Sequence, residues 1–180
     1  MKKILFLAFL FPVFIFSQNP MIKKEMNPIV KKKMEIKKKK NLDLKSFEKR
    51  KKVESTIINL WEEYSRAFEY SDFKKIKTYF TYPVTLSLLG DPIIVKNEKD
   101  LIKFYNQIRT NVQAGYKYSK LEKSRIIWIS KGICMLDATY SRFNKNYDKI
   151  FTGRGLYMYK RVDKSWKMFS MSSVEMNNKK

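Results

Sequence analysis

Apolar residues recur at helical spacing in the stretch that follows residue 53. They form one stripe, made of Ile57, Leu60, Trp61, Tyr64 and Phe68, and this spacing predicts a helix with one buried face. Ser71-Asp72 predicts a turn whose aspartate caps a second, shorter helix from Phe73 to Phe80. Pro83 is expected to end that helix, and Val84 to Leu89 and Ile93 to Val95 are expected to form a strand and its return.

A third helix and a run of strands follow. Asn97 and Asp100 have the spacing of a helix N-cap, and Gly115 is expected to close that helix. Short polar turns at Lys131-Gly132 and Asp163-Lys164-Ser165 separate long stretches of strand character, which are Tyr116 to Ser130, Ile133 to Phe143, Ile150 to Val162 and Trp166 to Val174. The order of elements predicts an α+β domain whose last four strands are antiparallel neighbours.

The first 17 residues have the three parts of a secretory signal. Lys2 and Lys3 precede an apolar run from Ile4 to Phe16, and the small residue Ser17 follows it. The run is shorter than the roughly 20 residues that span a bilayer. We therefore expect cleavage after Ser17, export to the periplasm or the medium, and no transmembrane span in the mature chain; an uncleaved anchor is the alternative.

Residues 18–52 predict a lysine-rich tether that is disordered or partly helical. Its lysine blocks are Lys31–Lys33, Lys37–Lys40 and Lys49–Lys52, the last containing Arg50. Pro20 and Pro28 are expected to break any early helix, and Asp43 is a candidate cap for a helix through Phe47. Two interpretations stay open: a solvated spacer, or a tether for anionic lipid, polysaccharide or nucleic acid, in which each lysine adds about 1 kcal/mol.

Composition excludes several chemistries. The chain has 39 Lys and Arg against 17 Asp and Glu, a net charge of +22, which reflects either the base composition of the genome or a selected attraction for anions. Histidine is absent, which excludes Ser-His-Asp and Cys-His centres and most zinc sites. Cys134 is the single cysteine, so no intramolecular disulfide can form, and we expect a buried structural thiol. No cofactor or metal is predicted.

Two stretches within residues 53–177 have the pattern of a known superfamily. WEEYSRAFEYSDFKKIKTYFTYPVTL opens the domain and YMYKRVDKSWKMFSM closes it. Together they resemble the nuclear transport factor 2-like superfamily, which includes SnoaL-like polyketide cyclases and ketosteroid isomerases. The resemblance implies a strongly curved antiparallel sheet wrapped around about three helices from the N-terminal half of the domain, forming a conical pocket. It also implies a homodimer, because family members often pair through the outer face of the sheet.

The same resemblance bears on catalysis. Tyr64 stands eight residues before Asp72, at the position of the tyrosine that donates to the oxyanion in ketosteroid isomerases. Leu88 occupies the position of their general base, and leucine cannot accept a proton. Asp91 would have to reach back from a turn. We therefore predict no catalytic residues.

Ten residues are candidates for the walls and rim of the pocket: Trp61, Tyr64, Phe68, Phe80, Trp128, Asp137, Tyr140, Arg142, Arg154 and Tyr157. Asp137 shares strand parity with the apolar Ile133 and Met135, so its carboxylate needs a partner. That partner defines either an ion pair within the sheet or a polar pocket floor.

Three functions are consistent with these features. The first is an exported, non-enzymatic pocket or interaction domain that binds a small apolar or amphipathic ligand or associates with itself. The second is an adaptor that binds anionic surfaces through residues 18–52. The third is an isomerase- or cyclase-type enzyme that uses Tyr64 with Asp137 or Asp91. Aromatic residues among the basic ones also fit nucleic-acid stacking, but strand propensity already favours aromatics, so no nucleic-acid partner is predicted.

Overall fold

The computed structural model describes residues 27–88 and 90–176. The chain divides into two units, Met1–Asp43 and Leu44–Lys180. The predicted signal segment, residues 1–17, lies outside the described residues, as does the start of the predicted tether. No helix in the described part of the chain is both long enough and apolar enough to cross a membrane.

The helices and strands follow the predicted order. They are α1 (Pro28–Glu69), α2 (Phe73–Ile76), a 3₁₀ turn (Lys77–Tyr79), β1 (Phe80–Ser87), β2 (Ile93–Val95), α3 (Glu98–Thr110), β3 (Tyr118–Ser130), β4 (Ile133–Phe143), β5 (Lys149–Val162) and β6 (Ser165–Val174). The described residues therefore form an α+β structure with three helices and six strands.

The six strands form one open sheet in the order β2-β1-β6-β5-β4-β3. Strands β3 to β6 are antiparallel neighbours, as predicted. The pair β1 and β6 is parallel, so the sheet is mixed, with one parallel pair in the otherwise antiparallel sheet that the resemblance implied. The sequence did not predict this pair because the two strands are far apart in sequence, and local periodicity contains no information on which distant strand lies alongside.

Helix α1 starts earlier than the sequence predicted. Pro28 is its first residue, and the side-chain oxygen of Asn27 accepts a hydrogen bond of 2.9 Å from the Ile29 N–H. A proline in the first turn has no N–H to leave unpaired there, so Pro28 begins a helix instead of breaking one. Asp43 lies in the interior of α1 and not at the start of a helix, since no glycine or proline interrupts residues 29–69.

The caps of the next two helices are confirmed. The Asp72 carboxylate accepts a hydrogen bond of 2.9 Å from the Lys75 N–H at the start of α2. The Asn97 side chain accepts one of 3.0 Å from the Asp100 N–H at the start of α3. Helix α3 ends at Thr110, before the predicted stop at Gly115, which follows in a left-handed conformation with a φ of 77°.

The prediction that Pro83 ends a helix is wrong. Pro83 lies inside β1, which begins at Phe80. The pairing of β1 with β6 is interrupted between Phe80 and Thr85. A residue without an N–H fits such an interruption, and the proline is therefore tolerated in a strand that is not at the edge of the sheet.

The core lies against one face of the sheet. Leu136, Tyr157 and Met171 are cross-strand partners on β4, β5 and β6, and all three are buried. Helix α1 contributes Ile57 and Trp61 to the same core cluster. Cys134 is fully buried, and burial raises the pKa of its thiol to about 11, so the predicted structural thiol is confirmed.

Candidate binding site

A small cavity lies between α1 and the core face of the sheet. Its volume is about 50 Å³, close to the space that one or two water molecules occupy. Six of the ten predicted candidates line it, namely Trp61, Tyr64, Phe68, Tyr140, Arg142 and Tyr157. Ser65, Ile108, Ser119 and Met171 also line it, and the sequence analysis missed them. The alternation of side chains along β6 could have identified Met171 as a residue that faces the cavity. No feature of the sequence indicated that α3 reaches the cavity through Ile108.

The hydroxyl group of Tyr64, a cavity-lining residue, is paired with that of a second buried tyrosine, Tyr105. The hydroxyl groups of Tyr64 and Tyr105 lie 2.9 Å apart, and the Tyr64 hydroxyl donates a longer hydrogen bond, 3.7 Å, to the Met171 sulfur. Burial raises the pKa of both tyrosines well above the ordinary value, so both side chains are neutral. The Tyr64 hydroxyl, predicted from the resemblance to lie at an oxyanion-donor position, is engaged by Tyr105.

Aromatic rings fill most of the remaining interior. The Trp61 ring lies 6.0 Å from that of Tyr140 and 6.2 Å from that of Tyr157. The Tyr64 ring makes edge contacts with Tyr79, Phe80, Tyr105 and Tyr157. Edge and tilted contacts of this kind pack rings densely, and the interior therefore has no room for a steroid-sized molecule in this conformation.

Arg142 is the cationic group of this cavity. Its guanidinium carbon lies 5.2 Å from the ring centre of Phe151 and 5.5 Å from those of Tyr116 and Tyr140. Its Nη1 donates a hydrogen bond to the Gln113 side-chain oxygen. Its Nε is buried and makes no hydrogen bond within the described part of the chain. The guanidinium is thus held by aromatic faces, through cation–π attraction, and no carboxylate within residues 27–88 and 90–176 pairs with it.

A wider groove adjoins the cavity between α1 and β3. Its volume is about 420 Å³, and it shares Trp61, Ser65 and Ser119 with the cavity. The other residues that line it are Glu62, Arg66, Glu69, Tyr118, Lys120 and Leu121. Two carboxylates and two cationic side chains therefore face the groove, and their formal charges balance.

Phe80 and Trp128 lie in or against the core, but outside the cavity. The Phe80 ring lies 6.1 Å from Tyr64 and 6.0 Å from Tyr105. Trp128 packs edge-on against Trp166 at 6.0 Å, and its Nε1–H donates to Glu54 at 3.4 Å. Both are aromatic core residues, so their aromatic character alone did not distinguish pocket walls from filled core.

Asp137 and Arg154 lie on the opposite, outer face of the sheet. Asp137 lies between Leu136 and Ala138 in the sequence, and both of these neighbours are fully buried. Because side chains alternate between the two faces along a strand, the Asp137 side chain lies on the face opposite theirs. Its carboxylate accepts two hydrogen bonds of 2.8 Å from Arg154 and one of 3.0 Å from Arg125. The contact is an ion pair within the sheet; a pocket floor at this position is wrong, because the residue's parity directs it away from the cavity.

The structure also separates the side chains that an isomerase- or cyclase-type enzyme would need together, Tyr64 with Asp137 or Asp91. The two hydrogen bonds from Arg154, followed by the one from Arg125, hold the pKa of the Asp137 carboxyl below its usual range, on the sheet face opposite Tyr64. Asp91 is exposed in the turn between β1 and β2. Leu88 lines the cavity. Within residues 27–88 and 90–176, no group of three or more acidic or cysteine side chains is arranged to hold a metal ion.

Comparison with known proteins agrees with this architecture. The sequence model of a family described as NTF2-like protein (DUF6841) matches residues 53–176. No curated protein matches the chain. An NTF2-like protein with a cystatin-like fold from Novosphingobium aromaticivorans superposes with a TM-score of 0.62 at 9% identity, covering 76% of this chain and 90% of that one.

Two further solved structures have the same fold. A protein of unknown function with a cystatin-like fold from Nostoc punctiforme has a TM-score of 0.57 at 11% identity, covering 68% of this chain and 90% of its own. An NTF2-like protein of unknown function from Pseudomonas putida has a TM-score of 0.55 at 14% identity, covering 72% and 93%. At such identities the likeness is one of fold alone, and it confirms the architecture that the resemblance implied.

Proposed function

Because the chain belongs to the NTF2-like family DUF6841 through its match over residues 53–176, we propose that this region is a non-catalytic binding domain for a small amphipathic molecule. The observation that carries the proposal is the pair of adjoining spaces between α1 and the sheet, a cavity of about 50 Å³ and a groove of about 420 Å³ that share Trp61, Ser65 and Ser119. Ligand sites are typically concave, apolar in their walls, and supplied with a few polar groups.

The sizes of the two spaces decide where the ligand lies. Pockets for small molecules usually measure roughly 300–1,000 Å³, which the groove meets and the cavity does not. The ligand therefore lies in the groove against Trp61 and Leu121, and only a small part of it enters the cavity. This placement differs from the expectation of a ligand inside the cone, since aromatic side chains occupy most of that interior.

The proposal is tested with a simple probe pair, 4-phenylbutanoate and its neutral amide. The chain has three tryptophans, so the indole N–H signal of Trp61 can be assigned by comparison with Trp61→Phe and followed by NMR. We expect both probes to shift that signal. Ser119→Trp, which fills the wall shared by groove and cavity, is expected to weaken binding at least about tenfold, roughly 1.4 kcal/mol.

Ser172→Trp is the matched control, because Ser172 pairs with Leu156 in the outer-face row that contains Asp137. It is expected to leave both affinities unchanged. A Trp61 signal that does not move with either probe up to about 10 mM, a limit of weak binding, contradicts the proposal.

We propose a second role, for the basic segment from Asn27 to Lys52, and one observation supports it. All residues from Asn27 to Lys52 are exposed, and within Pro28–Lys52 the chain carries twelve Lys and Arg against three Asp and Glu. Because the segment is helical, its charges lie close together in space. Basic clusters of this kind bind anionic lipid surfaces with about 1 kcal/mol for each cation near the surface.

Vesicles with 30% phosphatidylserine test this role. Replacing Lys37–Lys40 by glutamine is expected to weaken binding by about two orders of magnitude or more, at about 1 kcal/mol for each charge, and added salt is expected to weaken it further. The control replaces four exposed lysines of the second unit, Leu44–Lys180, namely Lys99, Lys131, Lys145 and Lys164. Equal losses from both sets, or equal binding to neutral vesicles, would refute a dedicated lipid-binding segment; tighter binding to heparin or DNA would reassign the partner.

Export and self-association stay predictions. Pairing through the outer sheet face would cover the Asp137 ion pair, whose Arg125 side chain is 68% exposed in the single chain. Sedimentation velocity on the wild type and on Leu156→Arg, which adds a charge on that face, decides whether a dimer forms there.

A further inference from the structure

Arg142 differs from Arg125 and Arg154, two other arginines of the sheet, because none of the described acidic side chains is its partner. Arg125 and Arg154 both bind the Asp137 carboxylate. The hydrogen bond of Arg142 goes to a neutral amide, that of Gln113, and its Nε is buried without a hydrogen bond to any described residue. A buried N–H of a charged group without an acceptor is unfavourable, so the Nε–H of this guanidinium is suited to donate a hydrogen bond to an anionic partner.

The surroundings of Arg142 do not supply that anion. The groove beside it carries Glu62 and Glu69 together with Arg66 and Lys120, and Glu69 also has Lys117 at 3.9 Å. The four charges that line the groove balance without Arg142, and Lys117, which does not line it, adds a further cation beside Glu69. The residues that line the cavity and the groove therefore carry one positive charge in excess, which matches a ligand with a single negative charge.

The geometry of the Arg142 guanidinium selects the kind of anion. A guanidinium offers parallel N–H groups to a planar group with two oxygens, and carboxylates meet this geometry with two hydrogen bonds. A phosphate dianion would bring a second negative charge to a site that has one excess cation. Aromatic rings on several sides of the guanidinium exclude water and strengthen a charged contact.

We propose that Arg142 anchors the carboxylate of a monoanionic ligand whose apolar part lies against Trp61 in the groove. This inference rests on the binding function proposed above, and it specifies the chemical class of the ligand. Phe151, Tyr116 and Tyr140 hold the guanidinium in place, so the anchor is positioned before the ligand arrives.

Arg109 provides a matched control for a purely structural arginine. Its guanidinium carbon lies 5.0 Å from the ring centre of Tyr116, the same ring that contacts Arg142. Its Nε, however, donates to the Ser71 hydroxyl at 3.1 Å, and Arg109 lines neither the cavity nor the groove. Loss of Arg109 removes a cation and its contacts with the Tyr116 and Phe68 rings without removing the proposed anchor.

The experiment compares 4-phenylbutanoate with its amide by calorimetry and by the Trp61 indole signal, on the full chain at about 0.15 M salt. We expect the wild type to bind the carboxylate about tenfold to a hundredfold more tightly than the amide, the range of a charge-assisted hydrogen-bonded pair. Arg142→Gln is expected to bring this ratio close to one, Arg142→Lys to an intermediate value, and Arg109→Gln to leave it unchanged.

Each other outcome is decisive. Equal affinity of the wild type for carboxylate and amide overturns the anchor and leaves the binding function standing. A ratio that survives in Arg142→Gln assigns the anion to another residue. Tighter binding of 3-phenylpropyl phosphate overturns the choice of carboxylate, and no binding of any probe overturns both proposals. If Arg142→Gln does not fold, judged by its NMR spectrum, the ratio in Arg142→Lys decides, because that variant keeps the charge and loses the planar fork.

Discussion

Replacing Tyr105 by alanine is expected to lower the free energy of unfolding by about 3–5 kcal/mol, the range found when large aromatic side chains are removed from protein cores. Tyr105 is fully buried. Its ring lies within 6.0–6.3 Å of the rings of Tyr64, Phe68, Phe73, Phe80 and Phe104. These neighbours come from α1, α2, β1 and α3, so one truncation loosens the junction of four elements.

Two variants separate the ring from its hydroxyl group and from general effects. Tyr105→Phe keeps the ring and removes the hydrogen bond to Tyr64, which is expected to cost about 1 kcal/mol. Tyr70→Ala removes a ring that is 66% exposed and is expected to change stability by less than about 0.5 kcal/mol. Urea denaturation measures the free energy of unfolding of all three variants. A loss below about 1 kcal/mol for Tyr105→Ala would contradict the packing of the Tyr105 ring against its five aromatic neighbours.

Gly153→Ala is expected to destabilise the fold by about 1–3 kcal/mol, the usual cost of overpacking a core, and to weaken carboxylate binding. A Cβ at this position would lie 2.5 Å from Phe151 Cε1 and 2.9 Å from the Cζ and Oη atoms of Tyr140. Those two rings also contact the Arg142 guanidinium. Moving them to make room for a methyl group would therefore disturb the arginine that anchors the ligand.

Gly132→Ala is the control for this substitution. A Cβ there would meet its nearest atom, the Arg161 Cβ, at 4.0 Å, and the residue does not have a positive φ. Its stability is expected to stay within about 0.5 kcal/mol of the wild type. Thermal or urea unfolding and the probe titration are run on both variants; equal behaviour of the two would mean that Tyr140 and Phe151 move at no cost.

The order of helices and strands could be predicted from the sequence because its signals are local. The stripe through Trp61 and Tyr64 and the caps at Asp72 and Asn97 depend on residues three or four positions apart. The same stripe contains three of the six candidate residues that line the cavity, Trp61, Tyr64 and Phe68. The predicted strand boundary at Pro83 was wrong, because the interruption in pairing that tolerates a proline depends on β6.

What the sequence by itself determined is the element order, the family and the set of side chains that share a face. It did not determine which face is covered: parity placed Asp137 and Leu136 on opposite sides, and only the tertiary structure shows that Leu136 belongs to the core. The tertiary structure also decided that β1 lies parallel to β6 and that the cavity measures about 50 Å³. It decided as well that Arg142 meets three rings and, among the residues that the structure describes, no carboxylate. The physical reason is that pairing, cavity volume and charge balance arise from contacts between residues distant in sequence, whereas periodicity and capping act within one or two turns of chain.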